Sequence, residues 1–276
     1  IFGTEEIDIE VFEEIYKKQQ EISPEKYREL LKQGYSFAKI NGELYGISNN
    51  NPNFSLAYSY YKMIKEFAPH IQLVPVKRTG QNLNNENLEM AQHLSATAIR
   101  KNIMSEEITS YISKELLEDI RASKIPTEED FFGLLKYKII SLGKDGLKNI
   151  YDMREGLENR IFEAALSAKN YGELVELVIT KRYSKKKIQR LLIHVLTNTT
   201  RDDYEELFGT KVFRVLAVKS EKSGLIREIN KEEKITLVSV LNSSNSMYFA
   251  QDIKVARIYN LIAGKPDIFR EKIELI

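Results

Sequence analysis

At 276 residues the chain is long enough to bury either one large domain or two to three smaller ones. Its 41 basic and 40 acidic residues nearly cancel, so no whole-protein field selects a partner and only local clusters of charge inform. The absence of cysteine excludes disulfides, thiolate metal sites and a cysteine nucleophile, and it fits a reducing cytoplasm.

His70, His93 and His194 are too scattered for a conventional multi-histidine zinc site, so no structural metal is expected. No apolar run approaches the roughly 18 to 20 residues of a membrane span, and no basic-then-apolar leader opens the chain. A cytoplasmic protein without a membrane partner is expected. The opening Ile1-Phe2-Gly3-Thr4 reads as the end of a buried strand running into a loop, with further chain expected upstream.

From Asp8 to Gln20, Ile9, Phe12 and Tyr16 recur at helical spacing. Ser23-Pro24 starts a second helix with a cap and a first-turn proline, with Tyr27, Leu30 and Leu31 on its inner face and Gly34 at its end. Asn49 to Phe54 is a loop by its turn chemistry and leads into a stripe of Phe54, Ala57, Tyr58, Tyr61 and Ile64. Ile71 to Val76 is a short β-branched run. Helix, strand, loop and helix in that order are half of a doubly wound α/β domain, whose ligands sit beyond the carboxyl ends of the strands.

Two separately encoded elements would converge on that edge. Lys77 and Arg78 fall at the strand's carboxyl end, and Leu94-Ser-Ala-Thr-Ala-Ile-Arg-Lys101 opens the next helix. There Ser95 is a good N-cap, the first N–H groups lack intrahelical partners, the helix dipole adds positive potential, and Arg100 and Lys101 add formal charge. Such a turn suits a phosphate, although the same residues also make an ordinary capped helix.

Beyond Ser105 the pattern is helical for more than a hundred residues, so a boundary is placed near Met104. Leu116, Leu117 and Ile120 follow a Ser113 cap, and Thr127 to Asp130 resembles a capping box before Phe131, Leu134, Leu135, Tyr137 and Ile139. Ile188, Leu191, Leu192, Val195 and Leu196 line one face of a later helix. Its start is crowded with Lys181, Arg182, Lys185, Lys186, Lys187 and Arg190, with Tyr183 among them. Lysines in a first turn oppose the helix dipole by a few tenths of a kcal/mol each. A phosphate backbone would reward them; a solvated face would carry them too. His194 reads as a packed or partly exposed histidine. Strand-like runs at Val212 to Val218 and Ile235 to Leu241, followed by a helix from Gln251 to Ile262, suggest a small α/β subdomain, with Arg257 a surface or salt-bridge residue.

Four motifs in order, Asn51-Pro-Asn-Phe-Ser-Leu-Ala-Tyr58, Val76-Lys-Arg-Thr-Gly80, Leu94 to Lys101, and Thr180-Lys-Arg-Tyr183 with Ile188-Gln-Arg-Leu-Leu192, resemble the bacterial tRNA(Met) cytidine acetate ligase family over nearly the whole chain. The Ser-x-Thr-x-Ile-Arg element alone resembles many nucleotidyltransferases; the ordered set is specific. The resemblance implies a ligase that activates acetate with ATP as acetyl-adenylate and then acetylates the wobble cytidine of elongator tRNA(Met). It implies that Gly3, Asn53, Arg78, Ser95, Thr97 and Arg100 face ATP, carried with Mg2+, and that Lys181, Arg182, Lys185, Lys186, Lys187 and Arg190 face tRNA. Fixed donors and cations at the α-phosphate would stabilise the adenylation transition state more than the ground state.

The family's His-x-Gly-His element has no counterpart in these 276 residues. The resemblance places it before Ile1, so this chain by itself is expected not to form acetyl-adenylate, and pyrophosphate release in a single-turnover assay would overturn that. The expected architecture is α/β followed by mostly α: the C-terminal half of a doubly wound nucleotide-binding domain over 1–104, a helical tRNA-facing domain over 105–205, and a small terminal α/β subdomain over 206–276. Two other readings stand beside the ligase, a non-catalytic RNA-binding module and a helical scaffold.

Overall fold

A computed structural model describes residues 1–33, 35, 37–46, 52–79, 86–88, 93–232, 234–265, 267 and 274–275. The chain divides into two units, 1–122 with 180–184, and 123–179 with 185–276.

The first unit begins with β1 (Phe2–Thr4), followed by α1 (Ile9–Glu21), α2 (Pro24–Lys32), α3 (Phe37–Tyr45), α4 (Pro52–Phe67), β2 (Pro75–Lys77), α5 (Ala96–Lys101) and α6 (Lys114–Ala122). β1 and β2 pair in parallel, Phe2 beside Pro75 and Thr4 beside Lys77. A parallel pair requires a crossover, and α1 to α4 supply it. Asp8 starts α1 by accepting from the Glu10 N–H, and Ser23 starts α2 by accepting from the Lys26 N–H. The apolar stripes of α1 and α4 then meet: Phe12 stacks on Phe54 at 5.0 Å and on Tyr61 at 5.8 Å, with Ala57 and Tyr58 buried beside them and Phe2 of β1 packed against the cluster. Each buried aromatic contributes about 1.5–3 kcal/mol, so this cluster fixes α4 against the strand pair.

The helical periodicity holds here, while its details differ. Leu31 and Leu116 are exposed, because α2 buries no residue and α6 turns only Leu117 fully inward. The expected strand over Ile71 to Val76 shrinks to Pro75–Lys77, since only that segment finds β1 as a partner. Gly34 and 49–51 lie outside the described residues. The boundary expected near Met104 falls inside the first unit. There Ile108 is fully buried, and the Arg121 guanidinium donates to the Ser105 carbonyl at 2.8 Å, tying α6 back to the turn after α5.

The second unit contains α7 (Phe132–Lys148), α8 (Leu157–Ser167), α9 (Tyr171–Val178), α10 (Lys185–Leu196) and α11 (Arg201–Gly209), then β3 (Val212–Arg214), β4 (Ala217–Val218), α12 (Gly224–Lys231), β5 (Thr236–Val238), α13 (Ala250–Ala263) and β6 (Glu274–Leu275). Ile139, Ile161, Leu174, Ile188 and Leu191 are fully buried and form its helical interior. Tyr137 and Leu134 are exposed instead, because α7 turns Leu135, Ile139 and Leu147 inward. Toward the terminus β3 pairs with β5 and β4 with β6, all parallel. The apolar run over Val212 to Val218 is thus split between two strands with different partners. Val238, Leu241 and Phe249 form a small core under β3 and β5, and residues 206–276 belong to the same unit as the helices before them. Among the described residues, no helix is long and apolar enough to cross a membrane.

Candidate functional site

At the carboxyl edge of the β1–β2 pair the chain gathers Gly3, Thr4, Glu5, Asn53 and Arg78. Thr4 is fully buried, and its carbonyl accepts the Arg78 N–H at 2.9 Å, extending the parallel ladder one residue past β2. Glu5 follows directly. One of its carboxylate oxygens accepts from the Asn53 side-chain amide at 2.5 Å and the other from the Phe54 N–H at 2.9 Å. The carboxylate therefore closes the first turn of α4, where free N–H groups and the helix dipole favour negative charge. Asn53, so held, turns its amide oxygen toward the Arg78 guanidinium, 3.5 Å away. Gly3 completes the arrangement. A Cβ there would come within 3.3 Å of the Arg78 side-chain Cγ, so glycine lets the arginine stem lie along the strand.

Gly3, Asn53 and Arg78, predicted from sequence, are thus brought together. Glu5 and Thr4 were missed. Within a run of acidic residues Glu5 carries no local signal, and its role arises only because α4 starts beside the strand end. The result is an exposed guanidinium on a rigid backbone, with an amide beside it, at the edge where α/β sheets take their ligands. It can hold an anionic group.

The α5 turn forms as its sequence requires. Ser95 is almost fully buried and its hydroxyl accepts the Ala98 N–H at 2.9 Å, with Ala98 itself fully buried. Thr97 is half-buried on the first turn and Arg100 is exposed. Lys101 is ion-paired with Glu86, and the Asn102 amide donates to the Glu86 carbonyl at 2.9 Å, so the charge of Lys101 is largely offset. Residues 80–85 and 89–92, between β2 and α5, lie outside the described residues.

The basic segment is split between the units. Lys181 and Arg182 are exposed in a loop closed by Thr180, whose hydroxyl accepts the Tyr183 N–H at 3.1 Å; the Arg182 guanidinium lies 5.5 Å from the Tyr183 ring. In the second unit, α10 begins with three lysines that have different surroundings. Lys185 pairs with Glu176 at 3.2 Å, Lys186 is exposed, and Lys187 is half-buried and bonded to Asp152. Burial, then the charge of Arg190, push the Lys187 ammonium below the ordinary lysine range. Arg190 is exposed. Lys186 and Arg190 are therefore the cations of α10 best able to meet an external anion, and Lys187 serves the fold as well.

His194, one turn after Arg190, is half-buried with its ring against Tyr151. Burial, then the charges of Lys187 and Arg190, lower its pKa from the ordinary 6.5. Arg257 donates twice to Asp267, at 2.9 and 2.7 Å, as a salt-bridge residue.

The family model for the HIGH nucleotidyl transferases matches residues 1–272. Proteins described as tRNA(Met) cytidine acetate ligase in Staphylococcus aureus strains JH9 and JH1 are each 30% identical over 269 residues, spanning 96% of this chain and 70% of theirs. Two solved structures of Thermotoga maritima TmcAL share the fold at 20% identity. The apo form superposes with a TM-score of 0.79 over 99% of this chain and 76% of that one. The form bound with alpha-thio ATP gives 0.75 over 98% and 73%. With its nucleotidyltransferase-like α/β fold and a match along nearly its whole length, the chain belongs to the tRNA(Met) cytidine acetate ligase family of HIGH nucleotidyl transferases.

Proposed function

We propose that this chain carries the nucleotide-side and RNA-side surfaces of an ATP-dependent ligase that activates acetate as acetyl-adenylate and transfers the acetyl group to the wobble cytidine of elongator tRNA(Met). The observation that carries the reading is the Gly3–Asn53–Arg78 cluster at the carboxyl edge of a parallel strand pair, in a chain of this family. Arg78 would pair with a phosphate oxygen of ATP, and Asn53 would orient the guanidinium and the nucleotide. Ser95 would act through the shape of the α5 turn, since its hydroxyl already accepts the Ala98 N–H. Thr97 and Arg100 would face the phosphates from the same turn. Acetate enters as an anion and needs no base to become a nucleophile.

Among the described residues, no three His, Asp or Glu side chains gather as metal ligands. Mg2+ would arrive with the phosphates of ATP. The 276 residues contain no His-x-Gly-His, so the roles assigned are binding and positioning. On the RNA side, Lys181, Arg182, Lys186 and Arg190 would lie along phosphates, releasing counterions, with Lys185 and Lys187 contributing less because acidic partners hold them. A cytoplasmic setting follows from a tRNA substrate.

Separate titrations of ATP and of elongator tRNA(Met) test the reading. Arg78→Ala with Asn53→Ala should weaken ATP and spare tRNA, whereas Lys186→Glu with Arg190→Glu should do the reverse. Unchanged ATP affinity in the first double variant would refute the nucleotide assignment.

A further inference from the structure

The second unit holds a side-chain cluster that the nucleotide reading leaves unused. The rings of Tyr151 and Tyr204 stack with centroids 3.7 Å apart and planes 11° apart, and His194 meets Tyr151 at 5.2 Å with its ring nearly perpendicular. Both tyrosines are half-exposed. The stack is rigidly mounted. The Tyr151 N–H donates to the Thr199 carbonyl at 2.9 Å, Ile150 and Thr200 form an antiparallel bridge, and Tyr204 sits on the first turn of α11, which Thr200 and Asp203 close with a capping box. Behind it the Thr197 and Thr199 hydroxyls, both buried, bond each other at 2.8 Å.

Cations flank this stack on its α10 side. Arg154 acts electrostatically on Tyr151, and Lys187 and Arg190 act on His194. Asp152 is bonded to Lys187 and lies 3.8 Å from Arg154, so its charge is offset within the cluster. On α11, Asp203 is engaged in the capping box, and Asp202, Glu205 and Glu206 are exposed, so the positive charge lies on the α10 side of the stack. A buried aromatic pair needs no further explanation. A half-exposed pair on a rigid mount, among more cations than uncompensated anions on its α10 side, matches what an unstacked nucleobase next to a phosphate requires: a π surface and neighbouring positive charge. Duplex phosphates alone would use the cations and leave the rings idle.

We infer that Tyr151 and Tyr204 form a stacking platform for an unpaired base of the RNA bound along α10. This rests on reading α10 as RNA-facing.

The test uses the whole chain and tRNA transcripts with 2-aminopurine placed singly in the loops. The expected result is strong quenching at a loop position in the wild-type complex, lost in Tyr204→Leu and Tyr151→Leu and kept in Tyr204→Phe. Affinity should fall by roughly 5- to 100-fold in the leucine variants, while the slope of log affinity against log salt stays unchanged. Should a leucine variant fail to fold, an abasic site at the quenched RNA position supplies the same comparison and should cost the wild-type protein a similar factor. Tight binding with no quenched position, or quenching that survives both leucine variants, overturns the platform and leaves the RNA reading of α10 standing. No tRNA binding by the wild-type chain overturns both.

Discussion

Glu5 holds Asn53: one oxygen of the carboxylate takes the asparagine amide at 2.5 Å while the other takes the next residue's backbone N–H at 2.9 Å. The strand-end loop and the start of α4 are thereby joined through one side chain. Asn53 has its other end 3.5 Å from the Arg78 guanidinium, so the position of the site's main cation depends on a residue outside the sequence motif.

Replacing Glu5 by Gln keeps the shape but sets an amide nitrogen against one of the two donors. The expected cost is about 1.5–3 kcal/mol of stability, the weight of one charge-assisted hydrogen bond. Urea denaturation at neutral pH measures it. A midpoint equal to that of the parent chain would show that the carboxylate does not secure α4.

Gly3→Ala adds a methyl group 3.3 Å from the Arg78 Cγ. The arginine must move, and ATP affinity should drop by roughly tenfold, about the weight of one lost charge-assisted contact. Calorimetric titration with ATP gives the number, and tRNA affinity serves as the control that should not change.

Neighbouring lysines at the start of α10 should separate stability from binding. Among the described residues, Lys187→Ala leaves Asp152 with Arg154 as its ion partner, at 3.8 Å, and should cost about 1 kcal/mol. Lys186→Ala should leave stability within roughly 0.5 kcal/mol and lower the salt slope of tRNA binding by about one. Equal effects of the two on both readouts would contradict the division of roles.

His194 makes stability depend on pH. Its folded pKa lies below the ordinary 6.5 through burial first and then through Lys187 and Arg190. Well above 6.5 the imidazole is neutral in both states and contributes nothing to the pH dependence. Below it the unfolded chain takes up a proton that the folded chain resists, so stability falls with pH until the folded pKa is passed. Urea midpoints between pH 7.5 and 5.5 should decline less in His194→Gln than in the parent. Identical declines would assign the effect to other groups.

Much of the architecture was legible because it is periodic. The stripes Phe54–Ala57–Tyr58–Tyr61 and Ile188–Leu191–Leu192–Val195 are buried as their spacing requires, and Ser95 caps α5 with its own hydroxyl. Strand length was not legible. Ile71 and Val74 are β-prone yet lie outside β2, because a strand exists only where a partner does and β1 offers three residues. The exposure of Leu134 and Tyr137 has a related cause: a broad apolar run permits more than one inward face, and packing chose the one containing Leu135 and Ile139.

The sequence by itself determined the helices marked by apolar periodicity, such as α1, α4 and α10, and the serine caps of α2 and α5, since these depend on residue type and on spacing along the chain, while the resemblance of its ordered motifs pointed to the family and to Gly3, Asn53 and Arg78 as candidates. Tertiary structure alone decided that Glu5 anchors Asn53, that Asp152 engages Lys187, and that Tyr151 meets Tyr204. Those pairs stand 48, 35 and 53 positions apart. At such separations no local periodicity links the partners, and only closure of the chain into its packed form brings their short-range interactions into reach.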